Sequence, residues 1–190
     1  ATGSNGERVY TATYTMQSSD NTGVIPFTVD FSDMANNAGT QVTAVANDSD
    51  GGVTFDKQAP SFTTVTMSSN NSTSTLAIVN DVITLSLTSE EAIKAGSDPT
   101  ITVNGNTATV TRNSATSFTA TYTMSSPADD AIDGSSIPIN ISAYTDATGN
   151  IGTTITETTD GSAVTYDNTL PLLGTVTIAS DNTYDHLATT

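Results

Sequence analysis

The chain has 190 residues, of which 35% are hydrophobic, enough for a β-sandwich core that is completed by Thr and Ser. Its 20 acidic and 4 basic residues give a net charge of −16, which excludes nucleic-acid phosphates and anionic membranes as partners and favours cations. It has no cysteine, which excludes disulfides, zinc–thiolate centres and thiol redox chemistry, and no stretch apolar enough to insert in a membrane.

The first part of the chain alternates with a period of two, which is typical of half-buried β-strands. In each of two predicted strands, four apolar side chains share one face: Tyr10, Ala12, Tyr14 and Met16, then Ile25, Phe27, Val29 and Phe31. A loop of turn-forming residues, 17–23, separates the two strands. These residues therefore predict two consecutive strands.

The second part continues the same pattern. Further strands are predicted over 62–67, 83–87, 101–103, 108–110, 118–124 and 137–143, and around Ile155, Val164 and Tyr166. Asn104-Gly105 indicates a tight hairpin. The connection 89–99 is predicted to contain one helical turn at Glu90–Ala95. Asp160-Gly161 fits either a bulge in one long strand or the turn of a second hairpin.

The chain repeats itself. Residues 118–124 read FTATYTM and match YTATYTM at 10–16 with an offset of 108, and the linkers at Asp56 and Asp167 match with an offset of 111. A period of about 110 residues is a normal domain size and sets the architecture. We predict the C-terminal part of one repeat at 1–60, a complete repeat at 61–171, and the first strand of a third repeat at 172–190.

About seven short strands, with turn signals every 8–12 residues, predict an all-β fold of tandem Ig-like antiparallel β-sandwich repeats. Antibody-type domains have a cysteine pair and a core Trp, and this chain has neither. Only the architecture is therefore expected to be shared.

Three sequence features resemble a known family. They are the run SFTATYTM, the D-x-x-G-N element at Asp146, Gly149 and Asn150, and the linker D-x-x-x-P at 56–60 and 167–171. The chain resembles, over nearly all of residues 9–190, the bacterial and archaeal Ig-like repeats of large surface proteins of the adhesin or S-layer type. The first repeat departs from the pattern, with Asn36 where Gly149 stands. The resemblance implies an extracellular spacer or lattice module, often stiffened by calcium.

The sequence does not favour an enzyme. It has one histidine, His186, and no G-x-S-x-G, Walker or cysteine-nucleophile motif. Asp129-Asp130 is interpreted as a solvated pair in a polar loop, and DSDGG at 48–52 as a turn, because it lacks the later carboxylates of an EF-hand. Catalytic residues are therefore not expected.

Calcium is the expected cofactor, since Ca²⁺ takes six to eight oxygen ligands from separate segments. In an Ig-like topology, the loops with Glu90, Glu91 and Asp146 lie at the end of the repeat that the linker with Asp56 enters. We predict that Asp56, Glu90 and Asp146 gather there, with Glu91 as a further ligand. Asp167 would take the part of Asp56 at the next junction.

Two functions stay open from the sequence. The first is a structural module of a surface protein, in an adhesin stalk, filament, sheath or S-layer, and the second is a carbohydrate- or protein-binding Ig-like module. Partners are expected to be neighbouring repeats of a longer chain or copies of the chain itself in a filament or lattice. Because 9–60 and 172–190 each lack part of a repeat, we expect the chain either to continue at both ends or to be completed by strands from neighbouring copies.

Overall fold

A computed structural model describes residues 10–45, 52–126, 128–181 and 183. The chain folds as two compact units, Ala1–Ala59 and Pro60–Thr190. Within the described ranges the structure is all-β: it has a single-turn 3₁₀ helix at Asp130–Ile132 and no α-helix. None of the helical segments in these ranges could cross a lipid bilayer.

The first unit has little regular structure in its described part. Strand β1 (Gly23–Val24) pairs antiparallel with β2 (Thr54–Phe55), and isolated bridges join Val29 to Val42 and Ser32 to Ala38. The strand predicted over 10–16 is absent, and Tyr10 and Tyr14 are 79% and 69% exposed. The strand predicted over 25–31 is also absent, and only the isolated bridge at Val29 lies in this range. Both predictions were wrong, because alternation gives a strand only where a second strand accepts its backbone hydrogen bonds.

The second unit holds the core. Its strands are β3 (Phe62–Ser69), β4 (Leu76–Ala77), β5 (Val82–Ser89), β6 (Thr100–Val103), β7 (Asn106–Thr107), β8 (Thr109–Arg112), β9 (Ser117–Thr123), β10 (Ser135–Ser136), β11 (Ile139–Ser142) and β12 (Thr165–Tyr166).

The largest sheet is antiparallel, in the order β3-β5-β9-β8. Its register places Met67 opposite Leu85, and Leu85 opposite Ala120, so that one face of the sheet is apolar and buried. The predicted alternation of β3, β5 and β9 is confirmed, since Ala120 is fully buried and the Thr residues on either side of it are not.

A second sheet, β11-β6-β7, supplies the other side of the core. The predicted hairpin at Asn104-Gly105 is confirmed: both residues have positive φ, 49° and 75°, as a type I′ turn requires. Ile101 pairs with Ile141, and both side chains are fully buried. One contiguous cluster of buried side chains lies between these strands, and each large one contributes about 1.5–3 kcal/mol.

A third sheet, β10-β12-β4, is mixed. β12 pairs antiparallel with β10 but parallel with β4, with Thr165 opposite Leu76 and Tyr166 opposite Ala77. The expectation of purely antiparallel sheets was therefore wrong for this pair. Near it, Asp160-Gly161 forms a turn closed by the Asp160 carboxylate, which accepts the Ser162 N–H at 2.9 Å.

Two further predictions in the second unit were wrong. The helical turn at Glu90–Ala95 is absent; a bridge at Ile93 stands in its place. Ala143 does not continue the buried face of β11, because its φ of 58° turns the chain and buries Tyr144 instead. The described part of 172–190 contains no strand, and Ile178 is fully exposed. The assignment of 172–190 to the first strand of a third repeat stays a prediction.

Candidate metal centre

The Asp146 loop is built around its own carboxylate. Oδ1 accepts the N–H groups of Thr148 (2.9 Å), Gly149 (2.6 Å) and Asn150 (2.9 Å), and the Thr148 hydroxyl. Oδ2 accepts the Asn150 side-chain amide at 2.7 Å. Gly149, with a φ of 102°, supplies the left-handed turn that aims three successive N–H groups at one oxygen. The D-x-x-G-N element is thus an anion-holding loop that fixes Asp146 in one orientation.

Electrostatics favour the ionised form of this carboxylate. Burial opposes ionisation of Asp146, but the hydrogen bonds from Asn150, Thr148 and Gly149 outweigh it and lower the pKa below the ordinary value of 3.8. Side-chain and backbone hydrogen bonds lower the pKa of three other aspartates in the same way: Asp33, Asp133 and Asp160. Asp146 is therefore a charged, preorganised ligand at neutral pH.

The first unit contains the same loop. Asp33 Oδ1 accepts the N–H groups of Ala35 (2.9 Å) and Asn37 (2.8 Å), and Oδ2 accepts the Asn37 amide at 2.8 Å. Asn36, which stands where Gly149 stands in the second unit, has a φ of 67°. Asn is the side chain that best tolerates this conformation, so the substitution preserves the geometry of the loop.

An aromatic side chain closes each loop over a glycine. Gly152 donates its N–H to the Tyr144 carbonyl at 2.9 Å, and a Cβ added at Gly152 would lie 2.0 Å from the Tyr144 ring. In the first unit, Gly39 donates to the Phe31 carbonyl at 2.8 Å, and a Cβ there would lie 2.1 Å from the Phe31 ring. Sequence reasoning did not identify these pairs, although the aromatic–glycine spacing of eight residues was readable in both copies.

Backbone contacts bring the 90–98 connection to this loop. Ile93 forms a bridge with Asp146, and Lys94 donates its N–H to the Thr145 carbonyl at 2.9 Å. Arg112 holds the same connection from the other side, through an ion pair with Asp98 and a hydrogen bond to the Ile93 carbonyl. Arg112 was not identified from the sequence as a residue of the site.

The structure brings two of the predicted ligands together in the second unit. Carboxylate oxygens of Glu91 and Asp146 lie within 4.8 Å of each other. Glu90, which was predicted to belong to the central trio, instead accepts a hydrogen bond from the Ser61 hydroxyl at 3.1 Å. Glu91 thus takes the position next to Asp146 that was assigned to Glu90.

Asp56 and Asp167 lie in their linkers in matching turns. Asp56 Oδ1 accepts the Gln58 N–H at 2.9 Å, and Asp167 Oδ1 accepts the Thr169 N–H at 3.0 Å. Asp56 belongs to the first unit, Ala1–Ala59. Its share in a cation site with Glu91 and Asp146 stays a prediction, as does the part of Asp167 at a following junction.

Asp130 is exposed, as expected from its interpretation as solvated, but Asp129 is not. Asp129 is fully buried and accepts hydrogen bonds from the Asn104 amide at 2.9 Å, the Tyr122 hydroxyl at 3.2 Å and the Ser125 N–H. It ties the loop after β9 to the β6–β7 hairpin. His186 and most of the 48–52 segment lie outside the described residues.

No protein-family model matches the chain, and neither the curated proteins nor the solved structures contain one significantly similar to it.

Proposed function

We propose that the chain is a structural module of a large extracellular surface protein, built from tandem Ig-like repeats and stiffened by Ca²⁺ at the repeat junctions. The observation that carries the proposal is that Glu91 and Asp146, two carboxylates from separate segments, lie within 4.8 Å on a fixed backbone. Two like charges this close disfavour each other unless a cation lies between them.

The spacing of the pair suits calcium. Ca²⁺ binds oxygen ligands at about 2.3–2.6 Å, so two ligands of one ion lie up to about 5 Å apart. The loop donors hold the Asp146 carboxylate in place before any ion arrives. Backbone carbonyls, amide oxygens and water would complete the six to eight ligands.

Asp56 is proposed as the ligand from the linker. Pro60 and Ser61 begin the second unit, and Ser61 contacts Glu90. The five residues from Asp56 to Ser61 span at most about 18 Å, so the carboxylate has the reach to join the Glu91–Asp146 pair. Such a ligand would make the flexible linker rigid.

Tandem repetition supports the spacer role. The two units share the aspartate loop, the aromatic–glycine closure and the linker turn, although their sequences differ at many positions. A module that is repeated in this way extends a rod or a lattice by a fixed step. We place the module outside the cell, in an adhesin stalk, filament, sheath or S-layer.

A binding module is the second candidate, and one observation favours it. The first unit has an open groove of about 700 Å³, lined by residues that include Tyr14, Met16, Val24 and Phe27. Met16, however, corresponds to Met124, which is fully buried in the second unit. The groove is therefore better explained as core surface that no strand of the described chain covers.

The test is Ca²⁺ titration by calorimetry, with small-angle scattering of the full chain in Ca²⁺ and in chelator. We expect binding, a higher melting temperature and a narrower range of chain dimensions in Ca²⁺. Glu91→Gln and Asp56→Ala should each weaken binding, whereas Asp160→Asn, at an exposed turn aspartate outside the pair, should not. Wild-type chain that binds no Ca²⁺ would refute the calcium site, and unchanged dimensions despite binding would refute the stiffening role.

A further inference from the structure

The outer face of the β3-β5-β9-β8 sheet is covered with hydroxyl groups. Thirteen side chains point away from the core; one is Val82 and the others are all Ser or Thr: Thr64, Thr66, Ser68, Thr84, Ser86, Thr88, Thr109, Thr111, Ser117, Thr119, Thr121 and Thr123. We call this set the hydroxyl face. Its members lie in cross-strand rows, such as Thr66, Ser86, Thr119 and Thr111.

The absence of charge on the hydroxyl face contrasts with the rest of the chain. The protein carries 20 acidic residues and a net charge of −16, yet none of these outward positions is charged. β-Propensity favours Thr at any single strand position, but it also favours Val, Ile and Tyr, and solvent-facing strands normally carry Lys and Glu. Propensity alone therefore does not account for the whole face.

Five of the seven hydroxyl positions that can be compared recur in the other copies of the sequence, whereas Ser117 matches Val9 and Ser68 matches Ala179. Thr11, Thr13 and Thr15 match Thr119, Thr121 and Thr123, and Thr175 and Thr177 match Thr64 and Thr66. The core-facing positions between them are retained about as often: Ala12, Tyr14 and Met16 match Ala120, Tyr122 and Met124, whereas Ile178 matches Met67. Exposed residues usually vary more than core residues, so outer positions that are retained as often as core positions indicate a constraint on the outer face.

We propose that the hydroxyl face binds the same face of a second copy of the chain. The net charge of −16 disfavours contacts between charged surfaces of two copies, whereas two uncharged faces meet without close like-charge pairs. Small side chains let two sheets pack at the usual distance of about 10 Å, with methyl groups interdigitating and hydroxyls exchanging hydrogen bonds. The face carries no aromatic ring on which a sugar could stack, so a second copy fits it better than a glycan does.

The size of the face determines how strong this contact is. Thirteen outward residues, about 6.8 Å apart along strands that lie about 4.8 Å from one another, cover about 400 Å². The two copies together would bury about 800 Å², below the roughly 1,200 Å² of a stable interface. One pair of modules therefore associates weakly, and a series of linked modules gains strength through effective concentration. The contact adds lateral association to the proposed structural role.

The test uses cysteine trapping, because the chain has no cysteine of its own. Ser86→Cys places a thiol near the centre of the hydroxyl face, and Thr107→Cys places one on an exposed strand of the other sheet. We expect the Ser86→Cys chain to form disulfide dimers several-fold faster than the Thr107→Cys chain at high protein concentration. High salt should increase the difference by screening the net charge. Equal rates would overturn the proposal.

Charge insertion provides the second readout. Wild-type chain should show reversible self-association by sedimentation at its highest soluble concentration. Ser86→Glu should abolish it, and Thr107→Glu should not; circular dichroism checks that both fold. Wild-type chain that stays monomeric in high salt would overturn the proposal. The proposal would also be overturned if the chain did not self-associate but bound an insoluble polysaccharide, and Ser86→Glu abolished that binding. All runs contain chelator, so the outcome is independent of the calcium site.

Discussion

Replacing Glu91 with Gln should change stability in opposite directions with and without calcium. Carboxylate oxygens of Glu91 and Asp146 lie within 4.8 Å. At that distance two unit charges repel by about 0.9 kcal/mol in bulk water and about 3.5 kcal/mol at an effective dielectric constant of 20. Because Glu91 is half-exposed, we expect the lower part of this range, about 1 kcal/mol. In chelator, Glu91→Gln removes the repulsion and should therefore stabilise the chain.

In Ca²⁺ the same substitution removes a charged ligand and should lower the stability that the ion confers. The assay is thermal denaturation of wild type and Glu91→Gln in chelator and in saturating Ca²⁺. We expect a rise of about 4 °C in chelator and a fall in Ca²⁺ relative to wild type. Glu90→Gln is the matched control, because Glu90 bonds to Ser61 rather than lying beside Asp146. A shift of the same sign in both conditions would refute the reasoning.

Three other predictions follow from the geometry of the described chain. Arg112→Met should destabilise the chain by about 1–2 kcal/mol and speed hydrogen exchange in the 93–98 connection, because it removes the contacts to Asp98 and the Ile93 carbonyl. Exchange rates equal to wild type would contradict this anchoring role. Gly152→Ala should cost at least about 3 kcal/mol in denaturant melts, since its Cβ would overlap the Tyr144 ring. Gly161→Ala, with open space but a φ of 74°, should cost only about 1 kcal/mol. Four aspartates have a lower pKa in the folded chain than the ordinary value of 3.8, which applies to the unfolded chain. Their ionised forms therefore stabilise the fold above pH 3.8, and this stability is lost as the pH falls through the folded-state pKa values. A pH titration of the melting temperature should therefore show a fall below about pH 4 that is smaller in Asp146→Asn.

Much of the second unit was predictable from the sequence because its signals were local. The alternation of apolar residues predicted β3, β5 and β9, and Asn104-Gly105 predicted the β6–β7 hairpin. These predictions hold because each of these segments pairs with another strand in a register that buries its apolar face. The copies at 10–16 and 172–181 carry nearly the same letters as β9 and β3 but form no strand. Nearly identical segments thus form a strand in one place and none in another. A strand needs a partner strand for its backbone hydrogen bonds, and the sequence of the segment alone does not show whether such a partner is present.

The candidate site was predictable only to within a residue. The sequence placed acidic residues from separate loops at one end of a sandwich, with Glu90 beside Asp146 and Glu91 as a further ligand, whereas the structure has Glu91 within 4.8 Å of Asp146. The choice between the two glutamates depends on the turn after β5, where Ser89 is still buried and the bridge at Ile93 sets the path of the chain. Arg112 was missed for a related reason: its contact with Ile93 joins residues 19 apart in sequence.

The parallel pairing of β12 with β4 has a mechanical consequence. β12 lies just before the outgoing linker; its Thr165 and the following Asp167 donate N–H groups to the Thr75 and Ala77 carbonyls, each at 2.9 Å. Tension applied to β12 along its own axis would draw it past β4. The bonds between the two strands then carry the load together as a shear clamp, rather than opening one after another like a zipper. A rod of such modules under pulling force would resist extension at the last strand of every unit, where the chain passes on to the next.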